Sequence, residues 1–143
     1  MNENELVQPL GKKGEEILAE NIRSGENILV KLKGTFGEGF ILTDNHIYIV
    51  KWGFNTGNLF GGRCTAFDYR NLTGIEINKS LINGVVELLS PATQSANLSY
   101  WGGNNSAQKS NYAITFQRQK FSIFQKAVLV GRDMIAKKKE ESK

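Results

Sequence analysis

The sequence is poor in cysteine, proline and histidine, and it has no long apolar run. Cys64 is the single cysteine among 143 residues, so neither an intramolecular disulfide nor a four-thiolate metal site can form. Only two prolines occur against fifteen glycines, which favours short strands joined by turns with positive-φ residues. No window approaches the roughly 20 apolar residues of a membrane-spanning helix. These absences exclude a disulfide-bonded scaffold and a helical membrane protein.

The remaining composition is that of an ordinary globular domain, with 40% apolar and 22% charged residues. The first residues are acidic and no apolar stretch follows them, so we expect no targeting signal and a reducing, cytoplasmic location. The net charge of +4 is uneven, because residues 120–143 carry seven basic and three acidic groups, whereas residues 1–26 carry three and six. Such a basic end indicates either solvation or weak contact with an anionic surface.

The hydrophobic pattern changes twice along the chain. Residues 11–24 have a narrow apolar stripe, typical of a short amphipathic helix. From Glu26 the period is two, with about seven short segments, and the polar stretch 93–111 is predicted to be one long loop before the last strand. The period then returns to 3.6, which predicts a helix over 120–138. We therefore predict that residues 27–117 form an antiparallel barrel or sandwich capped by that helix.

The predicted C-terminal helix carries three specific expectations. Phe121 and Phe124 fall on its apolar face, so we expect both to be almost fully buried where they plug the open end of the barrel. Leu129 falls on the polar face and should be exposed. Gly131 interrupts the apolar face, which costs about 1 kcal/mol relative to alanine unless the helix backbone must come close to the sheet there.

With this order of elements the chain resembles a pleckstrin-homology-like (PH-like) domain, and in particular the bacterial PH-like domains. Three stretches carry the resemblance: GFILTDNHIY (39–48) as the second and third strands, FDYRNLTGIE (67–76) leading into the fifth, and LINGVVEL (81–88) as the sixth. The resemblance implies a mainly β fold, a seven-stranded antiparallel barrel or sandwich capped by one C-terminal helix, with a short N-terminal helix outside the core pattern. It also implies a tendency to self-assemble.

These observations divide the chain into three parts. Residues 1–25 are predicted to be an N-terminal segment with the short amphipathic helix, residues 26–139 the PH-like domain, and residues 140–143 a disordered tail. No second large domain fits in a chain of 143 residues.

Residue types that carry catalysis or metal binding are scarce. His46 follows a turn and has no serine or cysteine at a recognisable spacing, so we interpret it as a locally hydrogen-bonded residue. Cys64 has no partner that would form a thiolate and is interpreted as a small apolar residue. One histidine, one cysteine and scattered carboxylates do not make a metal site, and the glycine-rich run 53–62 lacks the lysine and following helix of a phosphate-binding loop. We therefore predict no enzymatic activity, no metal and no cofactor.

Large apolar side chains on loops are the remaining candidates for a binding site. Tyr100 and Trp101 lie in a polar stretch, and Phe54 and Phe60 lie in the glycine-rich run, where no periodic pattern buries them. Exposed aromatic residues are typical anchors of protein interfaces, so these four residues predict contacts with a protein partner or with a second copy of the chain. A Trp101 ring that folds back over a barrel end is the alternative interpretation.

The alternative function is peripheral binding to anionic lipid through the basic C-terminal helix. The first strand contributes lysines where inositol-phosphate-binding PH domains have one, but the second strand has no arginine and Glu38 adds a negative charge to the loop. We therefore expect weak, salt-sensitive contact rather than specific phosphoinositide binding. Nucleic acid is not predicted, since residues 103–108 have no basic side chain and no RNA-binding strand motif occurs. The residues of the lipid alternative are Lys31, Lys33, Lys126, Arg132, Lys137, Lys138 and Lys139.

Overall fold

The computed structural model describes residues 5–53, 61–91 and 110–142. These residues form, in order, α1 (Lys12–Asn21), β1 (Ile28–Lys33), β2 (Glu38–Thr43), β3 (His46–Trp52), β4 (Gly62–Asp68), β5 (Gly74–Lys79), β6 (Asn83–Leu89), β7 (Ala113–Gln117) and α2 (Phe121–Glu141). Short 3-10 turns cover Tyr69–Asn71 and Arg118–Lys120. Within these ranges neither helix is long and apolar enough to cross a membrane.

The strands build two antiparallel sheets, one of four strands in the order β1–β2–β3–β4 and one of three in the order β5–β6–β7. Phe40 pairs with Leu32 and Ile49 in the first sheet, and Val86 pairs with Ile114 in the second. Because successive side chains alternate between the faces of a strand, these residues all point into the space between the sheets, where they are buried. The predicted fold class is confirmed: of its two alternatives, barrel and sandwich, the described residues form two sheets that do not close into one barrel.

Helix α2 fills the space between the sheets. Phe124 is fully buried, with its ring stacked on Phe116 at a centroid distance of 4.4 Å and tilted against Phe40 at 6.5 Å. The expected burial of Phe124 is confirmed, but the expectation for Phe121 is wrong, because Phe121 is only partly buried. As the first residue of α2 it lies at the rim of the core, with the ammonium of Lys79 4.3 Å from its ring centroid.

Gly131 lies where α2 passes close to β5. A methyl group at this position would stand 2.5 Å from Cδ1 of Ile75, which is nearer than real side chains approach one another. The close backbone approach that would explain a glycine on the apolar face is therefore confirmed. Leu129, two residues earlier on the polar face, is 52% exposed, as expected.

Helix α2 continues beyond its predicted end. It runs to Glu141, so the disordered tail predicted over 140–143 is wrong for its first two residues. The ammonium of Lys138 lies 3.7 Å from the Glu141 carboxylate, and the N–H of Ser142 donates to the carbonyl of Lys138 at 3.2 Å. Contacts between residues three and four apart stabilise the last turn of a helix, which explains the extension.

A second apolar cluster lies on the outer face of the four-stranded sheet, where α1 packs. The residues before α1 add a short parallel bridge between Val7 and Lys31 of β1. The four-stranded sheet is thus apolar on both faces. Its inner face covers the core between the sheets, and its outer face packs against α1. The buried residues of this second cluster are Leu10, Ile17, Leu18, Ile41, Tyr48 and Val50.

An ion pair is buried where β2 meets β7. The ammonium of Lys51 lies 2.7 Å from the carboxylate of Glu38, and both side chains are inaccessible to solvent. The same carboxylate accepts hydrogen bonds from the N–H of Thr115, at 3.0 Å, and from its hydroxyl. Burial raises the pKa of Glu38 and lowers the pKa of Lys51 to about 8, while their mutual attraction opposes both shifts. The interpretation of Glu38 as a negative charge in an open loop is therefore wrong.

Candidate functional site

The β5–β6 turn carries the most exposed large apolar side chains among the described residues. Leu81 is 88% exposed and Ile82 is 82% exposed. Ser80 fixes the turn, because its N–H donates to the carbonyl of Asn83 at 2.7 Å and its hydroxyl donates to the same carbonyl at 3.2 Å. The two aliphatic side chains are therefore presented to solvent on a hydrogen-bonded turn.

Three basic residues lie in the segments next to this turn. The pairing of Asn83 with Gln117 brings the 3-10 turn Arg118–Lys120 against the start of β6. Lys79 ends β5 directly before the turn, and its ammonium lies over the ring of Phe121 at the start of α2. Within the described ranges, none of the three basic residues forms a salt bridge. We call the resulting patch the tip surface; it consists of Lys79, Leu81, Ile82, Arg118 and Lys120.

A polar cleft of about 480 Å³ lies at the opposite end of α2 from the tip surface. It is formed by the segment after α1, the β2–β3 turn, the end of β4 and the last turn of α2. The cleft combines both signs of charge, so its chemistry depends on how these charges are paired. Its charged lining includes Arg23, Glu26, His46, Asp68, Arg70 and Lys138.

Glu26 is the centre of one hydrogen-bonded group in the cleft. Its carboxylate accepts a hydrogen bond from the hydroxyl of Tyr48 at 2.7 Å and contacts Nδ1 of His46. Burial would raise the pKa of Glu26, but the hydrogen bonds to Tyr48 and His46 outweigh it and lower that pKa. Burial, together with the same carboxylate, raises the pKa of Tyr48 to about 12. The backbone N–H of His46 donates to the hydroxyl of Thr43 in its own turn at 2.9 Å, as expected, while its ring is hydrogen-bonded to a residue 20 positions away.

Two further groups of charged side chains in the cleft are also paired. Arg70 donates two hydrogen bonds to the carboxylate of Asp68, at 3.0 and 2.8 Å, and these bonds lower the pKa of Asp68 to about 2. Lys138 lies 3.3 Å from Oδ1 of Asn45 and 3.7 Å from the carboxylate of Glu141. Each acidic residue of the cleft therefore has a cationic or hydrogen-bonding partner inside it.

The thiol of Cys64 lies on β4 and is partly buried. Burial raises its pKa to about 11, which disfavours the thiolate that nucleophilic chemistry needs. In the described part of the chain, no group of three or more potential metal ligands comes together.

The four predicted partner-binding residues, Phe54, Phe60, Tyr100 and Trp101, lie outside the described residues, as does most of the long loop predicted over 93–111. Their assignment to a protein interface therefore stays a prediction.

Two of the predicted lipid-binding lysines are engaged by acidic residues of the N-terminal segment. The ammonium of Lys31 lies 2.9 Å from the carboxylate of Glu15, and that of Lys126 lies 3.0 Å from the carboxylate of Glu5. The hydrogen bonds that the Glu15 carboxylate accepts from Lys31 and from the N–H of Leu10 lower its pKa despite burial. These pairs reduce the positive charge that either lysine offers to a ligand.

The other predicted lipid-binding residues lie on different parts of the surface. Arg132 donates to the carbonyl of Ile75 at 2.8 and 3.1 Å, and Lys33 is exposed at the end of β1. Residues 137–139 lie near the end of α2, beside the polar cleft. The structure thus distributes these seven basic residues over one strand and much of the length of a helix.

The tip surface was missed because LINGVVEL (81–88) reads as one continuous strand. The pairing of Lys79 with Gly84 shows that β6 begins at Asn83 and that Leu81 and Ile82 precede it. The signal that could have found them is the placement of two consecutive aliphatic residues between Ser80 and Asn83, both of which favour turns.

Comparison with known proteins gives a likeness in structure. No protein-family model matches the chain, and no curated protein matches its sequence. The chain is similar to the crystal structure of a pleckstrin homology domain from Shewanella amazonensis SB2B, with a TM-score of 0.47 and 12% sequence identity over 84% of this chain and 95% of that one. The likeness concerns the fold and carries no information about the residues of a site.

Proposed function

We propose that the chain is a non-enzymatic binding module that makes its contact through the tip surface. The observation that carries this proposal is the exposure of Leu81 and Ile82, 88% and 82%, on a turn held by hydrogen bonds. Burial of an aliphatic side chain of this size contributes about 1.5–3 kcal/mol. Two such side chains kept in water are a driving force for association with another surface.

The chemistry of the polar cleft and of the thiol supports a binding role rather than catalysis. His46 contacts a carboxylate that also accepts the hydroxyl of Tyr48, and the raised pKa of Cys64 opposes nucleophilic attack. A general base or nucleophile needs a free, suitably polarised partner. Neither residue has that arrangement.

Two classes of partner follow from the sequence, a protein or second copy of the chain, and an anionic membrane. The aromatic residues Phe54, Phe60, Tyr100 and Trp101 remain the proposed anchors for protein contacts and self-assembly, because aromatic side chains dominate such interfaces. The tip surface offers aliphatic and basic side chains instead, so the class of partner that it takes is a separate question.

Site-specific photocrosslinking in cells tests whether the tip surface makes a contact. Leu81→benzoylphenylalanine places a photoreactive group on the tip, and the matched control is the same substitution at Leu129, which is 52% exposed on α2. We expect crosslinked adducts, whether with protein or with lipid, in higher yield at position 81 than at position 129. Equal yields, or no adduct at position 81, would overturn the proposal.

A further inference from the structure

We infer that the tip surface docks on an anionic lipid bilayer, with Leu81 and Ile82 entering the acyl-chain region and the three basic residues meeting the headgroups. This inference rests on the proposed function, which assigns the contact to the tip surface without naming the partner. Three properties of the tip surface carry it: the type of its apolar residues, the state of its backbone and its charge.

The apolar residues are of the type that hydrocarbon favours. Leucine and isoleucine are among the most favourable residues in the centre of a bilayer. Energetically dominant residues of protein interfaces are enriched in tryptophan, tyrosine and arginine, and leucine is under-represented among them. Leu81 and Ile82 are consecutive and lie at the crest of the turn, so both enter an apolar phase together.

The backbone of the turn is already hydrogen-bonded. The N–H of Ser80 donates to the carbonyl of Asn83 at 2.7 Å, and the hydroxyl of Ser80 lies 3.4 Å from the N–H groups of Ile82 and Asn83. A bilayer interior offers no hydrogen-bond partners, and each unsatisfied polar group makes insertion unfavourable. Three N–H groups and one carbonyl of the turn therefore meet lipid with a hydrogen-bond partner inside the turn.

The charge around the turn is positive throughout. Lys79, Arg118 and Lys120 have no salt-bridge partner in the described ranges, and no acidic residue occurs in 77–86 or 117–123. The acidic residues nearest in these strands, Glu76 and Glu87, face each other in register across β5 and β6, outside the segments that form the tip surface. Each basic residue near an anionic surface raises the partition coefficient by about fivefold. The three basic residues of the tip surface are complementary to phosphate-bearing headgroups. They favour an anionic partner over a neutral one.

The orientation that follows separates the two ends of the domain. The 21 residues of α2 span roughly 30 Å, so docking through the start of α2 holds the polar cleft and residues 137–139 away from the headgroups. Lipid binding should therefore depend on the basic residues of the tip surface and not on the lysines near the end of α2, which reverses the assignment made from sequence.

Co-sedimentation of the full chain with vesicles tests the inference. The vesicles are pure phosphatidylcholine or phosphatidylcholine with one third phosphatidylglycerol, each at low and high salt. The test variants are Leu81→Ser/Ile82→Ser and Lys79→Gln/Arg118→Gln/Lys120→Gln. Their matched controls are Leu129→Ser and Lys137→Gln/Lys138→Gln/Lys139→Gln, which remove an exposed leucine and the same number of charges elsewhere.

We expect the parent chain to bind the anionic vesicles, to lose that binding in high salt and to bind the neutral vesicles at least tenfold less. Each test variant should lose at least tenfold in anionic-vesicle binding, and each control should stay within about twofold of the parent. Thermal melts matching the parent show that a loss is not due to unfolding, as expected for exposed positions.

Two results would overturn the inference. If the parent chain fails to sediment with anionic vesicles, the tip surface does not dock on lipid. If the two triple variants lose binding equally, net charge rather than the tip surface governs it. Photocrosslinking at position 81 then distinguishes the proposed function from the inference about lipid. Protein adducts at this position would support contact through the tip surface and contradict docking on a membrane. The absence of any adduct would contradict both.

Discussion

At the C-terminal end of α2, acidic and basic side chains form pairs around a polar cleft. At its N-terminal end, three basic residues lie in the segments next to two exposed aliphatic residues and have no salt bridge in the described ranges. Paired charges satisfy each other inside the fold, so their substitution should change its stability. Unpaired charges beside exposed apolar groups act on other surfaces, so their substitution should change binding. The two ends of α2 therefore differ in role: the cleft end contributes to the stability of the domain, and the tip end is available for binding.

The largest effect on stability is expected between the two ends, in the core that α2 fills. Phe124→Ala removes a fully buried ring stacked on Phe116 and should lower the free energy of unfolding by about 3–5 kcal/mol. Phe121→Ala, at the partly buried start of α2, should lower it by about 1 kcal/mol. Denaturant unfolding of both variants measures the difference. Equal losses of unfolding free energy in the two variants would mean that the core extends to the tip end of α2.

The next effect is expected at the cleft end. Glu26→Ala leaves the hydroxyl of Tyr48 and the ring of His46 without their shared acceptor, and should lower the free energy of unfolding by about 1–3 kcal/mol. Glu26→Gln keeps an acceptor and should cost less. The exposed Asp133 on α2 supplies a control, Asp133→Asn, that should leave stability unchanged. Urea unfolding that fails to separate Glu26→Ala from this control would show that the cleft contributes nothing to stability.

Acid should weaken the cleft end more than the tip end. The carboxyls of Glu26 and Asp68 have pKa values below their usual 4.5 and 3.8, that of Asp68 being about 2, so the folded chain binds their protons less tightly than the unfolded chain does. Their contribution to stability is complete above the unfolded values and is lost as the pH falls through the folded ones. The stability of Glu26→Gln/Asp68→Asn should therefore depend less on pH below about 4.5 than that of the parent.

Unfolding midpoints measured across this pH range for the parent, the cleft double variant and the tip triple variant provide the check. The tip triple variant should follow the parent, since the tip surface contains no carboxylate. A parallel decline in all three proteins would place the acid-sensitive groups elsewhere.

The smallest effect on stability is expected at the tip itself. Leu81→Ser/Ile82→Ser changes two side chains that are more than four-fifths exposed, and should change the free energy of unfolding by no more than about 0.5 kcal/mol. Calorimetry of this variant beside Leu129→Ser measures it. A loss well above that value would mean that these side chains pack within the domain, which would remove the contrast between the two ends.

Much of the fold could be predicted from the sequence because it depends on local periodicity. The period of two predicted the sheets, and the period of 3.6 beyond β7 predicted α2 with Phe124 inside and Leu129 outside. Phe121 lies on the same helical face, but a period does not show where a helix leaves the core. The end of α2 depends on contacts of Lys138 that no apolar stripe encodes.

The candidate site was less predictable because it depends on register and on contacts distant in sequence. Tyr48 and Glu26 are 22 positions apart, and nothing in their local patterns pairs them. From the sequence, Leu81 and Ile82 look like strand residues. The pairing of Lys79 with Gly84 shows that both lie in the turn that joins β5 to β6. The charge of Glu38 was visible in the sequence, but its burial against Lys51 was not.

The contact between Glu38 and β7 also covers part of a strand edge. An open strand edge is a template for intermolecular pairing and aggregation. The N–H of Thr115 donates to Glu38 and its carbonyl accepts from the N–H of Thr35, so the β1–β2 loop occupies the place that a foreign strand would take. A strand from another molecule could add there only by displacing Glu38 and breaking its buried ion pair with Lys51, which is strongly unfavourable. The buried ion pair of Glu38 and Lys51 therefore opposes the addition of a foreign strand at this edge of β7.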